Sequence, residues 1–100
     1  MVKWSEPARQ DLRHIHDFIA LDSHHYAKKV IEEILDKSIT LEDSPLRGRI
    51  VPEIENTNIR EVFVYSYRLI YEITGDLIYV LAVIHGKRDM SSMNLKNYRE

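Results

Sequence analysis

From Leu77 to Ile84 the chain is apolar at every position, and both parities of the run carry apolar side chains. Leu77, Tyr79, Leu81 and Val83 alternate with Ile78, Val80, Ala82 and Ile84. The run is far too short to span a bilayer, and its β-branched content suits a strand. A strand that is apolar on both faces belongs in the interior of a sheet. Two further runs of the same character precede it, Ile59 to Tyr65 and Tyr67 to Thr74. Gly75-Asp76 separates the last two runs and is the kind of two-residue turn that twisted strands prefer. The carboxy-terminal half therefore reads as a three-stranded antiparallel meander.

The amino-terminal half changes period. Val2-Lys3-Trp4 is a short strand, and Ser5 offers a capping hydroxyl ahead of Glu6 and Pro7, both favoured in a first helical turn. Ala8, Leu12, Ile15 and Ile19 recur at helical spacing, with Arg9, Asp11, Arg13 and Asp17 on the other side. This helix ends near Leu21, and Asp22-Ser23-His24-His25 is a polar connector. A second helix carries Tyr26, Ala27, Val30, Ile31, Ile34, Leu35 and Ile39 inward. Its Lys28 and Lys29 precede Glu32 and Glu33 by four residues, as Glu33 precedes Lys37, which suits an exposed face. So short a connector makes the helices antiparallel neighbours. Ser44-Pro45 stops the second helix, and Leu46 to Asn58 reads as an ordered loop.

The expected fold is α+β over a single domain, residues 1–100. An amino-terminal strand and an antiparallel helical hairpin pack on a three- to four-stranded, mainly antiparallel sheet. Leu69, Tyr71 and Ile73 face the helices; Arg68, Ile70 and Glu72 face away, onto a surface that no other segment is expected to cover. Residues 91–100 form a polar, frayed tail. With 100 residues and 44% hydrophobic side chains, one core closes without disulfides. The start lacks the basic-then-apolar layout of a secretory signal, so a cytoplasmic protein is expected.

Charge narrows the function. Fourteen Lys and Arg against 16 Asp and Glu give a net of −2. That argues against a broad phosphate-gripping surface. The absence of cysteine removes thiol nucleophiles and thiolate metal sites. His14 and His16 are two apart on a helix, and His24 and His25 are adjacent, so neither pair chelates; no metal and no cofactor are expected. Serines lack the elbow of hydrolases, and Gly48, Gly75 and Gly86 are too scattered to cradle a phosphate. The chemistry that remains is basic. His85-Gly86-Lys87-Arg88-Asp89 leaves the last strand beside Arg68, and Arg60 adds a further guanidinium. Such cations can stabilise a crowded phosphodiester transition state, with His85 as acid or base. The competing arrangement pairs Arg68 with Glu72 or Glu61 and leaves Lys87, Arg88 and Asp89 as a solvated turn.

The order strand, helical hairpin, loop, meander and basic turn resembles the RelE/ParE superfamily of toxins from bacterial toxin–antitoxin operons. Trp4-Ser5 with Ala8, Asp11-Leu12 and Ile15 is similar to the family's opening. Gly48-Arg49 with Pro52-Glu53 resembles its loop, and Arg60-Glu61 its first meander strand. Tyr67-Arg68-Leu69-Ile70-Tyr71 and Val83-Ile84-His85-Gly86-Lys87-Arg88-Asp89 carry the strongest likeness.

The resemblance implies one of two activities. RelE-like members cut mRNA on the ribosome by 2′-hydroxyl attack, which would make Arg68, Arg88 and His85 catalytic. ParE-like members inhibit DNA gyrase, with growth arrest and plasmid stabilisation as outcomes, and Arg60, Arg68, Lys87 and Arg88 would form a functional basic cluster. A third reading is an inactive relic that still binds an antitoxin. The strand Arg60-Glu61-Val62-Phe63-Val64 lacks RelE's paired lysines, and Met90-Ser91-Ser92-Met93-Asn94 lacks its tyrosine. With the acidic net charge, these departures favour ParE. The resemblance further implies a ParD/RelB-like antitoxin as partner, received on Arg68, Ile70 and Glu72, no membrane association, and no sequence-specific DNA binding by the toxin itself.

Overall fold

The structure is a computed structural model that describes residues 1–88. The elements are β1 (Val2–Trp4), α1 (Glu6–Ala20), α2 (His24–Thr40), a 3₁₀ turn (Pro45–Arg47), β2 (Arg49–Ile50), β3 (Ile59–Val64), β4 (Tyr67–Thr74) and β5 (Leu77–His85). The expected tail at residues 91–100 lies outside the described residues.

One five-stranded sheet runs in the order β1-β5-β4-β3-β2, with β1 parallel to β5 and the other pairs antiparallel. The apolar run thus sits between two strands, as its double parity demands. The sheet exceeds the expected three to four strands because Arg49–Ile50, inside the expected loop, pairs with Arg60 and Glu61. No helix among the described residues is long and apolar enough to cross a membrane.

Two polar contacts register α1 on β5. The buried Ser5 hydroxyl accepts the Ala8 N–H at 3.1 Å, capping the helix, and donates to the Leu81 carbonyl at 3.2 Å. Leu81 is available because the register of β4 and β5 slips between Ile70 and Tyr71: Ile70 pairs Ala82, Tyr71 pairs Val80, and Leu81 bulges. Further along, the Val83 N–H donates to the Asp11 carboxylate at 3.0 Å. Asp11 is therefore not on the outer face of α1, where its spacing alone places it. It lies against the sheet, and burial pushes its pKa above the ordinary value while the Val83 bond opposes the rise.

The helix-side core joins Ala8 and Ile15 of α1, Val30 and Ile34 of α2, and Leu41 to Val62, Val64, Leu69, Tyr71, Ile78, Val80 and Val83. On α2 the buried stripe is Ala27, Val30, Ile34 and Ser38. Tyr26, Leu35 and Ile39, expected inward, are exposed, because the stripe is narrow and Ser38 takes the inner position while its hydroxyl donates to the Leu35 carbonyl. His24 and His25 begin α2 rather than ending a connector.

The opposite face is where expectation fails. Ile70 is fully buried, and Arg68 and Glu72 are buried too. Val51 and Ile54, from the segment between β2 and β3, pack with Ile59, Ile70, Leu81, Ala82 and Ile84 in a second core. The chain closes its own far face, so Arg68, Ile70 and Glu72 are not the open antitoxin surface expected of them.

The entry to β2 is held by Tyr71. Its buried hydroxyl accepts the Gly48 N–H at 3.0 Å and donates to the Pro45 carbonyl at 2.7 Å. Gly48 has no room for a side chain: a Cβ there would stand 2.6 Å from both that hydroxyl and the Glu61 carbonyl. Tyr71→Phe leaves both backbone groups without their partner and should lower unfolding stability by about 1–3 kcal/mol, measurable by denaturant titration. Asp11 yields a pH signature. A raised folded pKa contributes stability that is fully present below the unfolded value of 3.8 and is lost as pH rises through the folded one. Asp11→Asn should therefore gain stability relative to the parent as pH climbs through the acid range, read as the difference between their unfolding free energies.

Candidate functional site

Of the candidate cations, Arg68 is the buried one. Arg68 and Phe63 face each other across β3 and β4, and the Arg68 side chain is only 4% exposed. Its Nε donates to Glu61 Oε1 at 2.6 Å, and its terminal nitrogens reach the two Glu53 oxygens at 2.9 and 2.8 Å. One terminal nitrogen also donates to the Arg88 carbonyl at 2.8 Å, and the other contacts Glu61. A guanidinium carries five N–H donors; four are hydrogen-bonded here, and the ion pair with Glu61 adds a further contact.

The pairing extends sideways. Glu61, wholly buried, bridges Arg68 on one oxygen and Arg49 on the other. Two arginines and two glutamates thus make a neutral row along one face of the sheet. Glu53 in the first place, then Glu61, raise the pKa of Arg68 further above its already high value, against the opposing effect of burial. Of the two partners considered for Arg68, Glu61 is the one found at the guanidinium; Glu53 went unsuspected.

The remaining cations do not gather around it. Arg60 donates to the Gly48 carbonyl at 3.0 Å and the Thr57 carbonyl at 3.1 Å, which ties β3 to the loops beside it. His85, Lys87 and Arg88 are exposed at the end of β5. His85 stacks edge-on against Tyr67 with ring centres 6.2 Å apart, and its Nδ1 accepts the Lys87 N–H at 3.3 Å. The expected four-cation cluster is therefore divided: Arg60 and Arg68 are structural, while Lys87 and Arg88 face solvent with His85.

What the sequence reading missed is the aromatic company of those exposed groups. A hollow of about 460 Å³ is lined by Phe63, Tyr65, Ser66, His85, Gly86 and Lys87. A neighbouring hollow on the helix side brings Phe18 and Tyr26 to Tyr65, Tyr67 and His85. Phe18 is 71% exposed, and Tyr26, Phe63 and Tyr65 are about half exposed. Arg49 lies over the Phe63 ring, 5.3 Å from its centre. Tyr65 holds the β3–β4 turn in left-handed geometry, with φ at 55°, which costs a bulky residue about 1 kcal/mol. Its ring meets Tyr26 edge-on at 6.2 Å, and the nearby Glu33 carboxylate pushes the phenol pKa up. A tyrosine in place of the glycine such a turn prefers was the available signal.

A family model, described as the ParE toxin of the type II toxin–antitoxin system parDE, matches residues 2–90. Among solved structures, the chain is similar to one from the chromosomal ParDE toxin–antitoxin system of P. aeruginosa. The TM-score is 0.70 and the identity 22%, over 84% of this chain and 92% of that one. It is also similar to a chain of the toxin–antitoxin complex RelBE2 from Mycobacterium tuberculosis, with a TM-score of 0.65, 21% identity, and coverage of 85% and 95%. No curated protein sequence matches the chain.

Removing one member of the buried row leaves another charge unpaired. Arg68→Ala should lower stability by about 3–5 kcal/mol. Glu53→Gln, at the more exposed carboxylate, should cost less; paired denaturant titrations give the ranking.

Proposed function

Since the chain belongs to the ParE toxin family of type II toxin–antitoxin systems, we propose that it arrests growth by inhibiting DNA gyrase and is neutralised by an acidic ParD/RelB-like antitoxin. The observation that carries this reading is the burial and pairing of Arg68. Cleavage of a phosphodiester needs cations free to meet charge as it develops. The guanidinium that a RelE-like nuclease would employ is buried and held by Glu53, Glu61 and the Arg88 carbonyl. A net charge of −2 supports the same choice over docking into ribosomal RNA.

The surface we assign to the target is the aromatic end, Phe18, Tyr26, Phe63 and Tyr65 beside His85, Lys87 and Arg88. Contiguous exposed aromatic groups edged by cations suit a protein partner, whose binding energy concentrates on such anchors.

Purified toxin should block supercoiling by gyrase or raise gyrase-dependent DNA breaks, and Phe63→Ser with Tyr65→Ser should weaken this by about tenfold or more while the fold persists. Cleavage of A-site codons on translating ribosomes, lost in Arg88→Ala, with supercoiling untouched, would instead establish the ribonuclease. A folded protein that leaves growth unaffected would mark an inactive relic.

A further inference from the structure

β5 makes its last ladder pair at His85, opposite Tyr67, yet residues 86–88 do not leave the sheet freely. The Gly86 N–H donates to the Ser66 carbonyl at 2.7 Å, and the Arg88 N–H turns back to the His85 carbonyl at 3.0 Å. Gly86 permits this approach because it carries no side chain. A Cβ there would stand 3.1 Å from the Ser66 carbonyl oxygen and 3.5 Å from the Phe63 ring. A third tie comes from the buried row, where one terminal nitrogen of Arg68 donates to the Arg88 carbonyl at 2.8 Å.

That nitrogen has little choice of direction. A guanidinium is planar, and its N–H bonds form a rigid fork. Glu61 accepts from Nε, and Glu53 accepts from both terminal nitrogens. With these contacts made, the plane of the group is fixed. The nitrogen bound to Glu53 Oε2 then has one N–H left, and the Arg88 carbonyl takes it. The acceptor is backbone, so the bond orients the turn whatever side chain stands at residue 88. Lys87 and Arg88 are exposed on this turn, and Lys87 lines the same hollow as Phe63 and Tyr65. The Arg68 side chain, at 4% exposure, lies too deep to serve as a contact itself.

We propose that Arg68, held by Glu53, is a positioning residue for the target-binding end. It fixes residues 86–88 against the sheet, so that Lys87 and Arg88 are presented beside the exposed aromatic rings instead of ranging through solvent. Binding then does not have to order them, which removes part of its entropic cost. Glu53, in the segment between β2 and β3, thus governs a contact made at the end of β5. The inference rests on the gyrase reading for the activity that is tuned, but the tie between Arg68 and the turn is independent of it.

Arg68→Met with Glu53→Gln removes one charge of each sign and leaves Glu61 paired with Arg49, so the fold should persist. The Arg88 amide, slowed in exchange by its bond to the His85 carbonyl, should exchange about tenfold faster in this variant. The amount of protein that half-inhibits supercoiling should rise about tenfold. The same pair of changes is then made in a Lys87→Ala, Arg88→Ala background, which keeps the backbone carbonyl at residue 88. There it should cost no more than about twofold, since a group that acts through the two cations has nothing left to position. Plain destabilisation would lower inhibition equally in both backgrounds. Gly86→Ala asks the same question without touching a charge. Its methyl pushes the turn off Ser66, and inhibition should weaken in the parent background but not in the double-alanine one.

Unchanged exchange at Arg88, equal losses in the two backgrounds, or parental potency in a folded Gly86→Ala protein overturns the proposal. If the parent leaves supercoiling untouched, the gyrase reading falls, and exchange at Arg88 still decides whether Arg68 holds the turn.

Discussion

A buried guanidinium must find acceptors to replace water, and Arg68 finds them in two carboxylates and a carbonyl drawn from three parts of the chain. Glu61 comes from the adjoining strand, Glu53 from the segment between β2 and β3, and the Arg88 carbonyl from the turn after β5. Each is brought to the far face by the same charge. Glu53 arrives with Val51 and Ile54, which then cover Ile70, Leu81 and Ala82. Glu61 also engages Arg49, which anchors β2. A buried ion pair is weak as a source of net stability but severe when broken. Its effect here is on where the chain runs.

This closure moves function to the margins. With the far face sealed, exposed aromatic side chains among the described residues gather where β5 finishes at His85: Phe18, Tyr26, Phe63 and Tyr65.

Much of this arrangement was legible in the residues. The double-sided apolar run located β5 inside the sheet, Ser5 announced the start of α1, and Gly75-Asp76 placed the last hairpin. Each of these signals is local, confined to a few consecutive residues. What escaped depends on distant groups. Glu53 carries no local sign that it will meet Arg68, fifteen residues away, and the loop that holds it has no period. Asp11 sits on the polar side of its helix by spacing, yet its carboxylate accepts the Val83 N–H on a stretch of β5 beyond the end of its pairing with β1. Leu35 and Tyr26 count as apolar in a helical pattern, although the stripe that packs is narrower than the stripe that is written. The site reading suffered most, because it counted cations and not the carboxylates that neutralise them.

The bulge at Leu81 reaches further than its single residue. Ser5 bonds the Leu81 carbonyl and Asp11 receives the Val83 N–H, so a helix and a strand of different rise per residue are clamped together at two points. Insertion or deletion between either pair of clamp points would leave one of them empty. Drift in chain length across descendants of this fold is thereby confined to its loops, and the distance from Ser5 to Asp11 acts as a gauge against which the central strand is cut.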